Sequence, residues 1–218
     1  MLRRLTPPIA ALALLCAASA ARAQAPSYQP IRVDLTFYAA YAAADATSWG
    51  GGVAIEPKFN VTDHFSAGLR LEGAGFVTQD VNVSSGGTTT NVSQGARAVA
   101  AFLAKADYYL TDSTVRPFVG VGLGLYRIGA GSQSVSSGAA GATVVQTASS
   151  FRGFGFAPQA GLNLGGFRLA ATYHIITGGD MVVATQAVGT STPTEVKLPK
   201  NFFAFEIGGT FGGNRTAP

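Results

Sequence analysis

The chain has 218 residues, 47% of them hydrophobic and only 12% charged, with 28 glycines and a formal net charge of +4. A soluble domain carries about 25% charged residues, so this chain holds roughly half the usual supply for a water-facing surface. The composition speaks against a typical cytosolic enzyme; the apolar content excludes disorder, and the glycines have no collagen-like period.

Residues 1–23 read as a cleavable signal peptide. A basic start at Arg3 and Arg4 precedes an apolar stretch from Ile9 to Ala18 and the small-residue ending Ala21-Arg22-Ala23. Without Arg3, Arg4 and Arg22, twelve basic residues face eleven acidic ones, so the basic balance predicts no nucleic-acid partner. The single cysteine, Cys16, falls in this leader and leaves the mature chain without a thiol or disulfide. Leu15 before it does not fit a lipoprotein signal.

Beyond the leader no apolar run reaches 18 residues, so no membrane-spanning helix is expected. Alternation takes its place, first in 31–42, where Ile31, Val33, Leu35 and Phe37 interleave with Arg32, Asp34, Thr36 and Tyr38. In 51–60 Val53, Ile55, Pro57 and Phe59 alternate with Ala54, Glu56 and Lys58, and in 65–77 Leu69 and Leu71 with Arg70 and Glu72. Residues 96–110 set Phe102 and Tyr108 against Lys105 and Asp107; 116–127 set Val119, Val121, Leu123 and Leu125 against Phe118, Gly120, Gly122, Gly124 and Tyr126. In 151–164 Phe154, Phe156 and Leu162 oppose Gln159 and Asn163, in 167–177 Leu169 and Tyr173 oppose Arg168 and His174, and in 200–211 Phe203, Phe205, Ile207 and Phe211 oppose Glu206. The count is eight strands.

Strands 2–3, 4–5 and 6–7 are joined tightly, the last by Gly165-Gly166, whereas 43–50, 78–95, 128–150 and 178–199 are long connections. Short turns at one end and long loops at the other predict an all-β fold: an eight-stranded antiparallel up-and-down transmembrane β-barrel over 24–211. Residues 212–218 would be a short periplasmic tail, with both termini periplasmic and the long loops extracellular.

Charge placement carries the most information. Twelve of the 23 charged residues after the leader fall on the polar phases, and none falls on the apolar phases until Arg127 and Arg152 at the outer ends. A charge facing lipid at mid-depth costs about 2–4 kcal/mol, which explains one charge-free face. With Arg97 and Arg116 set aside near strand ends, an interior polar network is predicted. Its basic members are Arg32, Lys58, Arg70, Lys105 and Arg168, its acidic members Asp34, Glu56, Glu72, Asp107 and Glu206, and His174 joins them. Small residues such as Gly68, Gly120, Gly161 and Gly208 leave room for those long groups, so a wide pore is not expected. Tyr41, Trp49, Phe76, Tyr126, Phe151 and Phe203 are predicted to form an outer aromatic girdle, and Phe59, Phe65, Tyr108, Phe118, Phe167 and Phe211 an inner one.

On its leader, on the run 116–126 (Arg-Pro-Phe-Val-Gly-Val-Gly-Leu-Gly-Leu-Tyr) and on the final strand 201–211, the chain resembles the small eight-stranded outer-membrane barrels of Gram-negative bacteria, of the OmpA-like, OmpX and OmpW type. The resemblance implies that Phe203, Phe205, Ile207 and Phe211 form the C-terminal signal read by the barrel-assembly machinery. Gly212 to Pro218 after the terminal aromatic depart from that pattern. It also leaves open a narrow channel for small hydrophobic molecules, as in OmpW-type proteins.

Chemistry is sparse by comparison. Gly120, Gly122 and Gly124 lack the helix that a dinucleotide fingerprint needs, and the N-x-Ser/Thr triplets at Asn60, Asn82, Asn91 and Asn214 read as chance matches. A lipid A acyl hydrolase would need a serine, a base and an orienting acid together; His174 is followed by Ile175 and Ile176 and His64 sits in a turn with Asp63, so no enzyme activity is expected. Two scattered histidines predict no metal site, and nothing calls for a cofactor. The loop 128–150, free of charge between Arg127 and Arg152, is either mobile or extends its hairpin beyond the membrane. Arg127 and Arg152, outward on adjacent strands, are predicted to contact lipopolysaccharide phosphates. The expectation is a monomeric, non-enzymatic outer-membrane barrel with outer-membrane lipids as partners and a structural or surface-interaction role through its loops. A soluble lipocalin-like barrel, with its apolar phases turned inward, is the remaining alternative.

Overall fold

The computed structural model describes residues 29–42, 48–78, 81–85, 88–92, 96–130, 133–137, 143–146, 150–178, 181–185, 194–198 and 200–212. The leader 1–23 and all of the tail after Gly212 lie outside them. In chain order the strands are β1 (Ile31–Ala42), β2 (Ser48–Asn60), β3 (Phe65–Thr78), β4 (Val81–Ser85), β5 (Thr88–Val92), β6 (Arg97–Tyr109) and β7 (Val115–Ala130). They continue with β8 (Gln133–Ser137), β9 (Thr143–Gln146), β10 (Phe151–Leu164), β11 (Phe167–Ile176), β12 (Met181–Thr185), β13 (Thr194–Leu198) and β14 (Phe202–Gly212).

Eight of them, in the order β1-β14-β11-β10-β7-β6-β3-β2, form a closed antiparallel barrel, each paired with its neighbours along the chain. Closure comes from β1 against β14, from Val33 opposite Phe211 to Tyr41 opposite Phe203, which leaves the barrel no free edge. Two features of the sequence make this pairing the stable one. Period-2 patterning fixes which face each residue takes, and a one-residue slip would turn every charge outward. The tight turns then set the register: Gly165, at φ 65°, takes the left-handed conformation that the Gly165-Gly166 reversal between β10 and β11 requires.

The long connections contain more order than their sequences announced. β4, β5, β8 and β9 form a four-stranded sheet, with β5 paired to β8 so that two successive connections are tied together; β12 and β13 form a hairpin. For 128–150 this favours extension of the hairpin, and β2 begins at Ser48, inside the segment expected to be a loop.

Burial is inverted relative to a water-soluble barrel. Val53, Ile55, Leu69, Leu71, Leu123 and Phe156 stand exposed on the outside, with Leu125 65% and Phe205 62% accessible, while Arg70, Arg168, Asp34 and Glu56 are fully buried. An apolar exterior over a charged interior is stable only where the surrounding solvent is hydrocarbon.

The interior has two tiers. Toward the long-connection end it is apolar, filled by Phe76, Val99, Leu103, Tyr126, Ile128, Ile176 and Phe202 with small residues such as Ala40 and Ala204. Toward the short-turn end it is charged. This corrects the girdle expectation at four positions: Phe76, Tyr126 and Phe118 are buried inside, and Phe151 packs against the interior cluster. Their register explains it, because Phe76 shares the inward phase of Arg70 and Glu72, and Phe118 and Tyr126 share that of Gly120 and Gly122. Arg97 and Arg116, set aside as strand-end residues, also turn inward, each with its guanidinium over an aromatic ring, Phe76 at 4.7 Å and Tyr109 at 4.2 Å.

Candidate functional site: the charge-filled interior and the arginine pair at the rim

Alternate residues of six barrel strands, β1, β2, β3, β6, β11 and β14, deliver the interior charges to one continuous network, to which β10 adds Gln159 and β7 adds Tyr126. Near the turn end Lys58 of β2 is the hub, its Nζ 2.8 Å from Asp34 Oδ2, 2.5 Å from Asp107 Oδ2 and 2.5 Å from Glu56 Oε2. Arg168 of β11 reaches the same carboxylates, at 3.2 Å from Asp34 and 3.3 Å from Asp107, and donates to Gln159 Oε1 at 2.8 Å. Lys105 of β6 donates to Asp107 Oδ1 at 2.6 Å and to Gln159 Oε1 at 2.5 Å. Arg32 of β1 pairs with Asp34 at 3.1 Å and hydrogen-bonds Tyr109.

Arg70 of β3 is the second hub. Its Nε donates to Glu72 Oε2 at 2.6 Å, its two terminal nitrogens hold both oxygens of Glu206 at 3.0 Å each, and Nη1 also donates to Glu56. Glu56 therefore joins the two hubs. Gln159 joins them a second time by donating to Glu206 at 3.0 Å and to Thr172 at 2.8 Å. His174 lies where charge gives way to the apolar tier: Nδ1 is 3.3 Å from Glu72 Oε1 and 2.9 Å from Tyr126 Oη, and the ring stacks on Phe202 at 4.1 Å.

All eleven residues expected in the interior are thus brought together. Gln159, Thr172, Thr210, Tyr109 and Tyr126 complete the network and were missed, although each shares the inward phase of a charged neighbour. The arrangement favours rigidity over reactivity. One oxygen each from Asp34, Glu56 and Asp107 lies within 4.8 Å of the others, a spacing that would suit a cation, but the Lys58 ammonium already bonds all three. Among the described residues no serine hydroxyl hydrogen-bonds either histidine; His64, in the turn after β2, contacts Tyr109 O at 2.9 Å and Asp112 at 3.2 Å.

Packing around the hub is tight. A Cβ added to Gly120 would collide with Asp107 Oδ1 and lie 3.1 Å from Lys105 Nζ. Gly120→Val should therefore lower barrel stability by about 1–3 kcal/mol, the usual cost of overpacking, measured by urea titration of the refolded protein. Gly73→Val, where added atoms meet nothing within 4 Å, is the matched control.

The outward-facing candidates fall into two groups. Phe203, Phe205, Ile207 and Phe211 form an exposed apolar row along β14. Arg127 of β7 and Arg152 of β10 stand directly opposite one another, both exposed, with Ala100 of β6 on the other side of Arg127.

No protein-family model matches the chain, and no curated protein sequence matches it. Solved structures similar to it include Ail, the attachment invasion locus protein of Yersinia pestis, in complex with the heparin analogue sucrose octasulfate; identity is 13%, 84% of this chain and 100% of that chain are covered, and the TM-score is 0.41. Neisserial surface protein A is similar at 15% identity, over 85% of this chain and 98% of that one, with a TM-score of 0.43. The N-terminal β-barrel domain of Pseudomonas aeruginosa OprF is similar at 14% identity, over 84% and 99%, with a TM-score of 0.34.

Proposed function

We propose that the chain is an integral outer-membrane β-barrel of a Gram-negative bacterium, with a structural or surface-interaction role carried by its long connections. The observation that carries this reading is the inverted burial of the closed barrel: an apolar outside and a paired, charged inside. In this reading both termini face the periplasm, the long connections face outward, and the apolar row on β14 is what the barrel-assembly machinery reads. A closed barrel has no strand edge to share, which favours a monomer. The non-enzymatic reading draws support from histidines engaged by a phenol, carboxylates and a carbonyl. A passage for small hydrophobic molecules is disfavoured, because side chains fill both interior tiers.

Fractionation of cells expressing the chain, followed by electrophoresis with and without boiling, tests the proposal. The protein is expected in the outer-membrane fraction, with an unheated band displaced from the boiled one. A soluble periplasmic distribution without that displacement overturns it.

A further inference from the structure

Two cationic side chains placed directly across a β-ladder repel each other, and the placement is destabilising unless something anionic lies between them. Arg127 and Arg152 are such a pair. Among the described residues neither guanidinium has a hydrogen-bond or ion-pair partner, in a molecule whose interior acidic residues are held by cations. The surface beside them is shaped. One pleat toward the barrel middle, Phe102, Leu125 and Phe154 are paired side by side on β6, β7 and β10, whereas in the arginine row β6 contributes only Ala100. The step between the two rows is a groove of about 580 Å³, lined among others by those four residues and the two arginines.

We infer that this groove is a binding site for a phosphorylated, acylated lipid of the surrounding leaflet, its phosphate held between Arg127 and Arg152 and one acyl chain lying on the Phe102–Leu125–Phe154 row. The inference rests on the membrane reading above and adds a defined occupant to it. Charge complementarity selects the head, since two guanidinium forks match the oxygens of one phosphate. Position selects the tail: the arginines sit at the long-connection ends of their strands, where hydrocarbon gives way to headgroups, and the apolar row continues from them into the lipid-facing belt. A free phosphate would use the arginines and leave the groove empty. A chain without phosphate would use the groove and leave the arginines repelling each other.

The test uses the full-length barrel refolded in detergent, with the heat-dependent gel shift recorded first. A missing shift in the wild type sinks the membrane reading and is seen before any lipid is added. Folded protein is then titrated with lipid A carrying its phosphates, with dephosphorylated lipid A and with inorganic phosphate. Phosphorylated lipid A is expected to bind tightest. Arg127→Gln with Arg152→Gln should weaken it about thirty-fold, from roughly 1 kcal/mol per arginine near an anionic surface. Ala100→Leu, which fills the groove and keeps both charges, should weaken phosphorylated lipid A and leave inorganic phosphate unchanged. Unaltered binding in the folded double variant overturns the inference, as does equal affinity for inorganic phosphate or for dephosphorylated lipid A. Self-association of lipid-free barrels through this face, lost in the Ala100→Leu variant, overturns it as well, because a second copy would then be the occupant.

Discussion

Arg70→Leu is expected to lower the unfolding free energy of the barrel by about 3–5 kcal/mol, the cost of removing one partner from a buried ion pair. Its guanidinium is fully buried and serves three carboxylates, holding Glu206 by two parallel hydrogen bonds. Leucine leaves those carboxylates at the barrel centre with one cation fewer. Glu56 keeps Lys58, but Glu72 and Glu206 lose their main counter-charge. Arg70→Lys restores the charge and loses the fork, so it should fall between leucine and wild type. Glu72→Gln should cost less than half as much, because Arg70 retains Glu56 and Glu206. The double variant Arg70→Leu, Glu206→Leu should recover part of the loss, since two apolar residues ask for no counter-ion. Urea titration, read as loss of the unheated gel band, measures all four variants. A change below about 1 kcal/mol for Arg70→Leu would mean that water solvates the interior carboxylates.

The same network shows how far sequence alone reaches in such a fold. Period 2 assigns each side chain a face, so the inward set could be read as soon as the strands were recognised: Arg70, Glu72 and Glu206 had to share one interior. Their pairing could not be read, because which charges meet depends on strand tilt and stagger, and Arg70 and Glu206 lie 136 positions apart. Phe76 and Tyr126 expose a second limit. An aromatic near a strand end satisfies either an interfacial girdle or an interior plug, and only its pleat phase separates them; both residues carried the inward phase. The order in the long connections was hidden for a different reason. The pairing of Val92 with Val135 in β5 and β8 is a contact between two connections, and neither segment alone encodes it. The groove beside Arg127 belongs to the same class, since Ala100 becomes its low wall only in the register that sets it opposite Arg127.

The remaining prediction separates a barrel in lipid from one in water. Leu123 lies near the middle of β7, exposed on the outer face between Ala104 and Phe156. In a bilayer, Leu123→Arg should destabilise the barrel by about 2–4 kcal/mol, because a guanidinium at mid-depth has neither water nor a counter-ion. Leu110→Arg, at an exposed leucine in the turn after β6, should cost about 0–1 kcal/mol, since charge near an interface reaches water. Refolding both variants into vesicles and comparing their urea midpoints with wild type reads this depth dependence. In a water-soluble barrel the two positions would be equivalent: each places a charge on an exposed surface, where substitutions usually lie within about 0.5 kcal/mol of neutral. A neutral Leu123→Arg would therefore turn the outer face toward water and would leave the burial of Arg70, Lys58 and Arg168 without an explanation. A cost confined to Leu123 instead ties both faces to one cause, with hydrocarbon outside holding the leucines and the closed sheet keeping Arg70, Lys58 and Arg168 paired with carboxylates within.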